Sequence, residues 1–233
     1  MSFLPIGINI PELTNVVLVN SVDDLPQPVI IGSESVIELA DNTVYEFAPG
    51  IIDLGANKIV CNNVNVLRGQ GKDQTILTSS ATGNVIESII GEAKILIESL
   101  TIQASDSASQ LLNISDARTF IVSDCNLSTP GKLGTLVNVG VGCIFRYVGL
   151  FNYISGLDFS GYFDSVEFSN CYIQYDQGVP VDSVNFLPAT YTPVIFPGPT
   201  RINKTLKFNS CEIVTDDSSA NAIKVDTGVN FVS

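Results

Sequence analysis

The side chains able to do chemistry in this chain are carboxylates. Twenty-four Asp and Glu stand against 11 Lys and Arg, and histidine is absent. Without imidazole the commonest general base and the commonest zinc ligand are both missing. Two kinds of chemistry stay open to the acids. Glycoside cleavage needs a pair of carboxyls roughly 5–9.5 Å apart, and calcium binding needs several oxygen ligands together. The adjacent pairs Asp23–Asp24 and Asp216–Asp217 are the candidates for calcium; the simpler reading of each is a turn or a solvated edge. Gly69-Gln70-Gly71 lacks the Gly-Lys-Ser/Thr ending and the helix of a phosphate loop, so it reads as a turn between elements.

The five cysteines, Cys61, Cys125, Cys143, Cys171 and Cys211, are widely spaced, with no CxxC among them. They read as free thiols of a protein made in a reducing compartment, and no metal or other cofactor is expected. A net charge of −13 excludes nucleic acid, which needs clustered Lys and Arg, and disfavours anionic membrane surfaces. No charged region followed by an apolar stretch opens the chain as a signal peptide would. No run reaches the ~18 apolar residues of a membrane span.

The elements that must position these groups are written as a repeat. "ILIESLTIQ" (95–103), "FIVSDCNLS" (120–128), "CIFRYVGLF" (143–151), "VEFSNCYIQ" (166–174) and "LKFNSCEIV" (206–214) share one cadence, at steps of 25, 23, 23 and 40 residues. Positions 1 and 3 are apolar, position 5 is polar except for Tyr147, and positions 6 and 8 are apolar again. That is a strand, a bend and a second strand. A third short strand precedes three of the copies: "LLNIS" (111–115), "LVNVG" (136–140) and "LDFSG" (157–161). Three short strands per ~23 residues predict an all-β fold, a right-handed parallel β-helix of roughly eight coils. Coils stacked at ~4.8 Å set like on like. Cys125, Cys171 and Cys211 are then a buried structural stack, and Asn113, Asn138 and Asp158 a polar column.

This register distributes the outward side chains. Position 2 runs Leu96, Ile121, Ile144, Glu167, Lys207; position 4 runs Glu98, Ser123, Arg146, Ser169, Asn209; position 7 runs Thr101, Asn126, Gly149, Tyr172, Glu212. No column sets two acids side by side, and Glu167 beside Lys207 reads as a surface ion pair. No catalytic residue is assigned. Leu96, Ile121 and Ile144 form an apolar stripe, the mark of a subunit interface. The 40-residue step holds an insertion near 176–201 with five prolines and the aromatic residues Phe186, Tyr191 and Phe196. These are candidate contacts for a receptor, a glycan or a partner protein; the alternative is that the insertion folds back on its own chain or a neighbouring subunit.

Two stretches carry a resemblance. "NNVNVLRGQGKDQTIL" (62–77) is similar to an early-coil line of pectate-lyase-like right-handed β-helices. "NSVDDLPQPVIIGSESVIELADNTVYEF" (20–47) resembles the lead-in of β-helical virion proteins of tailed bacteriophages, with its "DDLP" element. The resemblance implies a spike, fibre or decoration protein, commonly a homotrimer, made in the bacterial host cytoplasm and carried on the virion. Lyases of this fold use calcium-binding Asp clusters with an Arg or Lys, and no such cluster assembles in this register. The expectation is therefore a non-enzymatic structural component of a phage virion, with host-surface glycan as a candidate contact. A β-helical polysaccharide depolymerase is the alternative. Residues 1–35, with four prolines, read as an N-terminal anchoring or capping segment, and 36–233 as the β-helix.

Overall fold

A computed structural model describes residues 13, 15–88, 91, 93–140, 142–151, 153, 155–160, 165–174, 184–186, 205–214 and 223–225. The chain is a parallel β-solenoid whose coils visit three sheets in turn. The first sheet has eight strands, from Asn15–Val19 and Thr43–Phe47 through to Thr205–Asn209. The second has seven, from Gly50–Asp53 to Glu212–Val214, and the third nine, from Val29–Ile31 to Ile223–Val225. Every pairing is parallel except that of Val29–Ile31 with Glu34–Glu38. The solenoid makes about six turns, fewer than the eight expected. At the first end the third sheet opens with that antiparallel pair in place of a parallel rung.

The repeated line is one rung of the first and second sheets. Its fifth position turns the corner, and Ser99, Asp124, Tyr147, Asn170 and Ser210 all take φ of 52–57° there. A single left-handed residue redirects the chain, and Ser, Asp and Asn suit it because their short polar side chains bond locally. Tyr147, the sequence exception, holds the same conformation and is 53% exposed. One rung earlier the corner is Gly69, where a Cβ would lie 2.3 Å from the Ser99 carbonyl oxygen. Only glycine lets the backbone pass there, which explains the Gly69–Gly71 turn.

Inside, like residues stack. Phe145, Phe168 and Phe208 occupy one inward column of the first sheet, with ring centroids 4.8 Å apart and nearly parallel planes. The spacing of the rings is the spacing of the rungs, so backbone pairing and aromatic contact reinforce each other. Cys125 and Cys171 are buried behind the corner and free; Cys61 and Cys143 are buried and free elsewhere in the core. Cys211 is free but only partly buried, because no described coil stacks beyond it. The polar column differs from expectation. Register places Glu87, Asn113, Thr135, Asp158 and Asn185 together. Asn138 lies past the end of Lys132–Val137, at a left-handed corner, and its Nδ2 donates to Asp116 Oδ1 at 2.9 Å. The misplacement follows from reading this strand too late in the chain.

Two boundaries also differ. Asn15–Val19, inside the segment read as an anchor, pairs with Thr43–Phe47 as the first strand of the first sheet. The insertion near 176–201 contains the strand Val184–Phe186, which pairs with Leu157–Phe159 and Ile223–Val225 and so supplies a rung of the third sheet.

Phe168→Ala should cost about 3–5 kcal/mol, since it opens a cavity between two stacked rings; denaturant unfolding measures it. Burial pushes the thiols of Cys61 and Cys125 from an ordinary 9.0 up to about 12, and that of Cys171 up to about 11. A thiol neutral when folded but free to ionise when unfolded stabilises the fold below pH 9, and that stability is lost as pH rises from 9 toward 12. Alkylation at pH 8 should therefore spare Cys125 and Cys171 in the native chain and label all five cysteines in denaturant, with Cys211 reacting first. A native disulfide would contradict this.

Candidate functional site

The outward faces carry the polar chemistry, and on them acids alternate with bases. In the fourth-position column, Glu46, Arg68 and Glu98 follow one another on three successive rungs. Arg68 Nε donates to Glu98 Oε1, and its Nη1 lies 3.2 Å from Glu46 Oε1. Burial works to lower the Arg68 pKa, but the two carboxylates outweigh it and the guanidinium is held more firmly protonated. On the third sheet Lys58 Nζ lies 2.6 Å from Glu34 and 2.5 Å from Glu87. Its pKa is likewise raised, against the pull of burial, by Glu34 and Glu87. Glu87 also accepts from Asn113 Nδ2 at 2.8 Å, and Lys132 reaches Asp158 at 2.5 Å.

This alternation limits what the acids can do. A general acid in glycoside cleavage must keep its proton near neutrality, which requires a carboxyl shielded from positive charge. Glu46 and Glu98 are two rungs apart, roughly 9.6 Å at the usual strand spacing, but Arg68 stands between them. The sequence reading began that column at Glu98 and so missed Glu46 and Arg68; Arg68 lies 30 residues before Glu98, off the 23–25-residue step, so the repeat does not align them.

Of the calcium candidates, Asp23–Asp24 lie among the described residues. Asp24 accepts the backbone N–H groups of Asn20 (2.8 Å) and Ser21 (3.2 Å), which hold its pKa below the ordinary value. Its carboxylate caps the short 3₁₀ turn Val22–Asp24, and the next residue, Leu25, is buried in the core. The "DDLP" element thus sets Leu25 into the core directly after the first strand. Asp216–Asp217 lie outside the described residues. Among the described residues no group of three or more His, Cys, Asp or Glu could hold a metal ion. No described helix is long and apolar enough to cross a membrane.

The contact candidates fare differently from one another. Phe186 closes the strand Val184–Phe186, in register with Phe159 and Val225. Tyr191 and Phe196 lie outside the described residues. Leu96, Ile121 and Ile144 do form one outward column, yet Leu96 and Ile121 are only 5% and 3% exposed within the single chain. The stripe is therefore not an open surface along its whole length. Glu167 and Lys207 are register partners, and Glu167 accepts the Ser169 hydroxyl at 2.6 Å.

An open apolar surface exists elsewhere. Val16 and Leu18, Ile51, and Val29, Ile30 and Ile31 are between 49% and 73% exposed. They sit on Asn15–Val19, Gly50–Asp53 and Val29–Ile31, the terminal strands of the three sheets at one end of the solenoid. Sequence reading missed this set; the signal was the apolar residues at both outward positions of "NVVLV" and the unbroken "VII". No family of known proteins, no curated protein and no solved structure matches the chain.

Replacing Arg68 by Met would leave Glu46 and Glu98 on one column with no base between them. The expected loss is about 1 kcal/mol, larger at low salt than at high salt, because partly exposed ion pairs are modest and screened. Denaturant midpoints at two ionic strengths measure it.

Proposed function

We propose that this protein is a non-enzymatic structural component of a bacteriophage virion, of spike, fibre or decoration type. It attaches by the end that carries its first strands and stands out as a rigid shaft. The observation that carries this reading is the ring of exposed apolar side chains on the terminal strands of all three sheets. Terminal strands also present unpaired backbone N–H and C=O groups, which proteins normally cover. Leu25 packs into the core near this end, while the outer apolar side chains stay bare. A surface at once apolar and edge-rich suits a protein partner, either the particle or the other copies of a homotrimer.

The shaft behind it suits this role. Several of its outward acids pair with bases on neighbouring rungs, a stabilising pattern for an exposed surface. The lead-in segment's likeness to phage virion proteins adds the biological setting.

Leu18→Asp combined with Ile30→Asp tests the reading. Both residues are exposed, so the chain should keep its circular dichroism and melting temperature. It should fail to join the particle and should sediment as a monomer. Normal incorporation of the doubly substituted chain would contradict the proposal. Release of new reducing or unsaturated ends from host-surface polysaccharide by the purified protein would overturn its non-enzymatic part.

A further inference from the structure

One rung of the solenoid departs twice from what the fold prefers. Tyr147 turns its corner at φ 55°, where the other four copies of the repeat have Ser, Asp, Asn and Ser. Left-handed backbone is unfavourable for a bulky side chain and is tolerated by a short polar one. Tyr147 is 53% exposed, so burial in the core does not account for it. Two residues on, Gly149 opens an inner strand of the second sheet, where glycine contributes no packing of its own. A neighbour fills the gap: a Cβ on Gly149 would lie 2.3 Å from the Phe151 ring and 2.7 Å from Asn126 Oδ1.

Phe151 thus leans back along its strand and lays its ring over Gly149. That places the ring between Asn126 and Tyr172, the register partners of Gly149 on the two adjoining rungs. The Phe151 and Tyr172 rings are half-buried, with centroids 5.8 Å apart and planes tilted by 41°. Tyr172 Oη donates to Gln174 Oε1 at 3.2 Å. The corner that carries Tyr147 is two residues from Gly149, about 7 Å along an extended backbone. Three aromatic residues and two amides therefore share one outward patch that spans two rungs.

We propose that Tyr147, Phe151 and Tyr172 form a stacking platform for a neutral glycan, with the amides of Asn126 and Gln174 bonding its hydroxyls. The C–H bonds on one face of a pyranose ring carry partial positive charge, which suits the negative face of an aromatic ring. The hydroxyls at its rim both donate and accept, as side-chain amides do. Phe151 is seated on Gly149 and Tyr172 is tied to Gln174 before any ligand arrives, so little ordering is needed on binding. Charge selects within the class. The patch is flanked by the Lys72–Asp124 pair on one side and by Glu212 on the other, and the chain carries a net −13. An anionic polysaccharide is repelled, and neutral sugars are the class that fits. Glycan binding at this patch stands whether or not the protein belongs to a virion, and it leaves the terminal strands to protein partners.

The test is isothermal titration, with saturation-transfer NMR, of the full chain against neutral hexasaccharides of glucose, mannose, galactose and N-acetylglucosamine. Hexagalacturonate is the anionic control. At least one neutral sugar should bind and the control should not. Tyr147→Asn should weaken that binding at least tenfold while the melting temperature stays level or rises, because Asn accepts the left-handed corner. Phe151→Leu keeps an apolar cover over Gly149 but removes the aromatic face, and should weaken binding to a similar degree. Binding of none of the neutral sugars would overturn the proposal, as would binding that survives both changes or a preference for hexagalacturonate. A clearly lower melting temperature in Tyr147→Asn would make Tyr147 a structural residue and overturn its part in the platform. Loss of self-association or particle incorporation in Tyr147→Asn, with no sugar bound by the parent, would assign the patch to a protein partner instead.

Discussion

Every coil of this chain leaves backbone N–H and C=O groups along two edges, and only another coil can satisfy both edges. All else in the molecule follows from that pairing. Because it fixes rungs at one spacing and in one register, each position of the repeat becomes a column, and each column must hold residues that tolerate their own kind. Aromatic rings meet this by stacking flat, as Phe145, Phe168 and Phe208 do. Charges meet it by alternating in sign, as in Glu46, Arg68 and Glu98. Corners meet it by repeating one left-handed residue.

The same constraint concentrates the problem of a solenoid at its ends. A middle rung is covered above and below; a terminal one is not. Near the first end Leu25 packs into the core, and Asp24 fixes the turn before it by accepting from the Asn20 N–H. The outer faces of the terminal strands are not closed, and there the exposed isoleucines, valines and Leu18 collect. A shaft whose sides are charged and whose end is apolar has one direction in which to dock.

Much of this was legible in the residues, because a repeat averages over its own irregularities. The cadence of "FIVSDCNLS" and "VEFSNCYIQ" gave the rungs, the corner and the inward columns, and even the exception, Tyr147, occupies its corner in the same conformation. What failed to show was whatever departs from the repeat. The Val184–Phe186 rung was hidden among prolines, and Asn15–Val19 lay in a segment whose prolines argued against a strand. Burial of Leu96 and Ile121 was illegible for another reason: alternation tells which face a side chain occupies, but not whether a distant part of the chain lies over that face. The site was less legible than the fold. Glu46 and Arg68 come together only through register, and no spacing in the sequence sets them apart from other surface charges.

Locating the protein on intact phage particles by electron microscopy, with a label near the first strands, tests the central claim most directly. The account predicts shafts that project from the particle, with the label at the particle surface and the later coils outward. Particles that lack the protein, or shafts attached by the later coils with the first strands free, would contradict it.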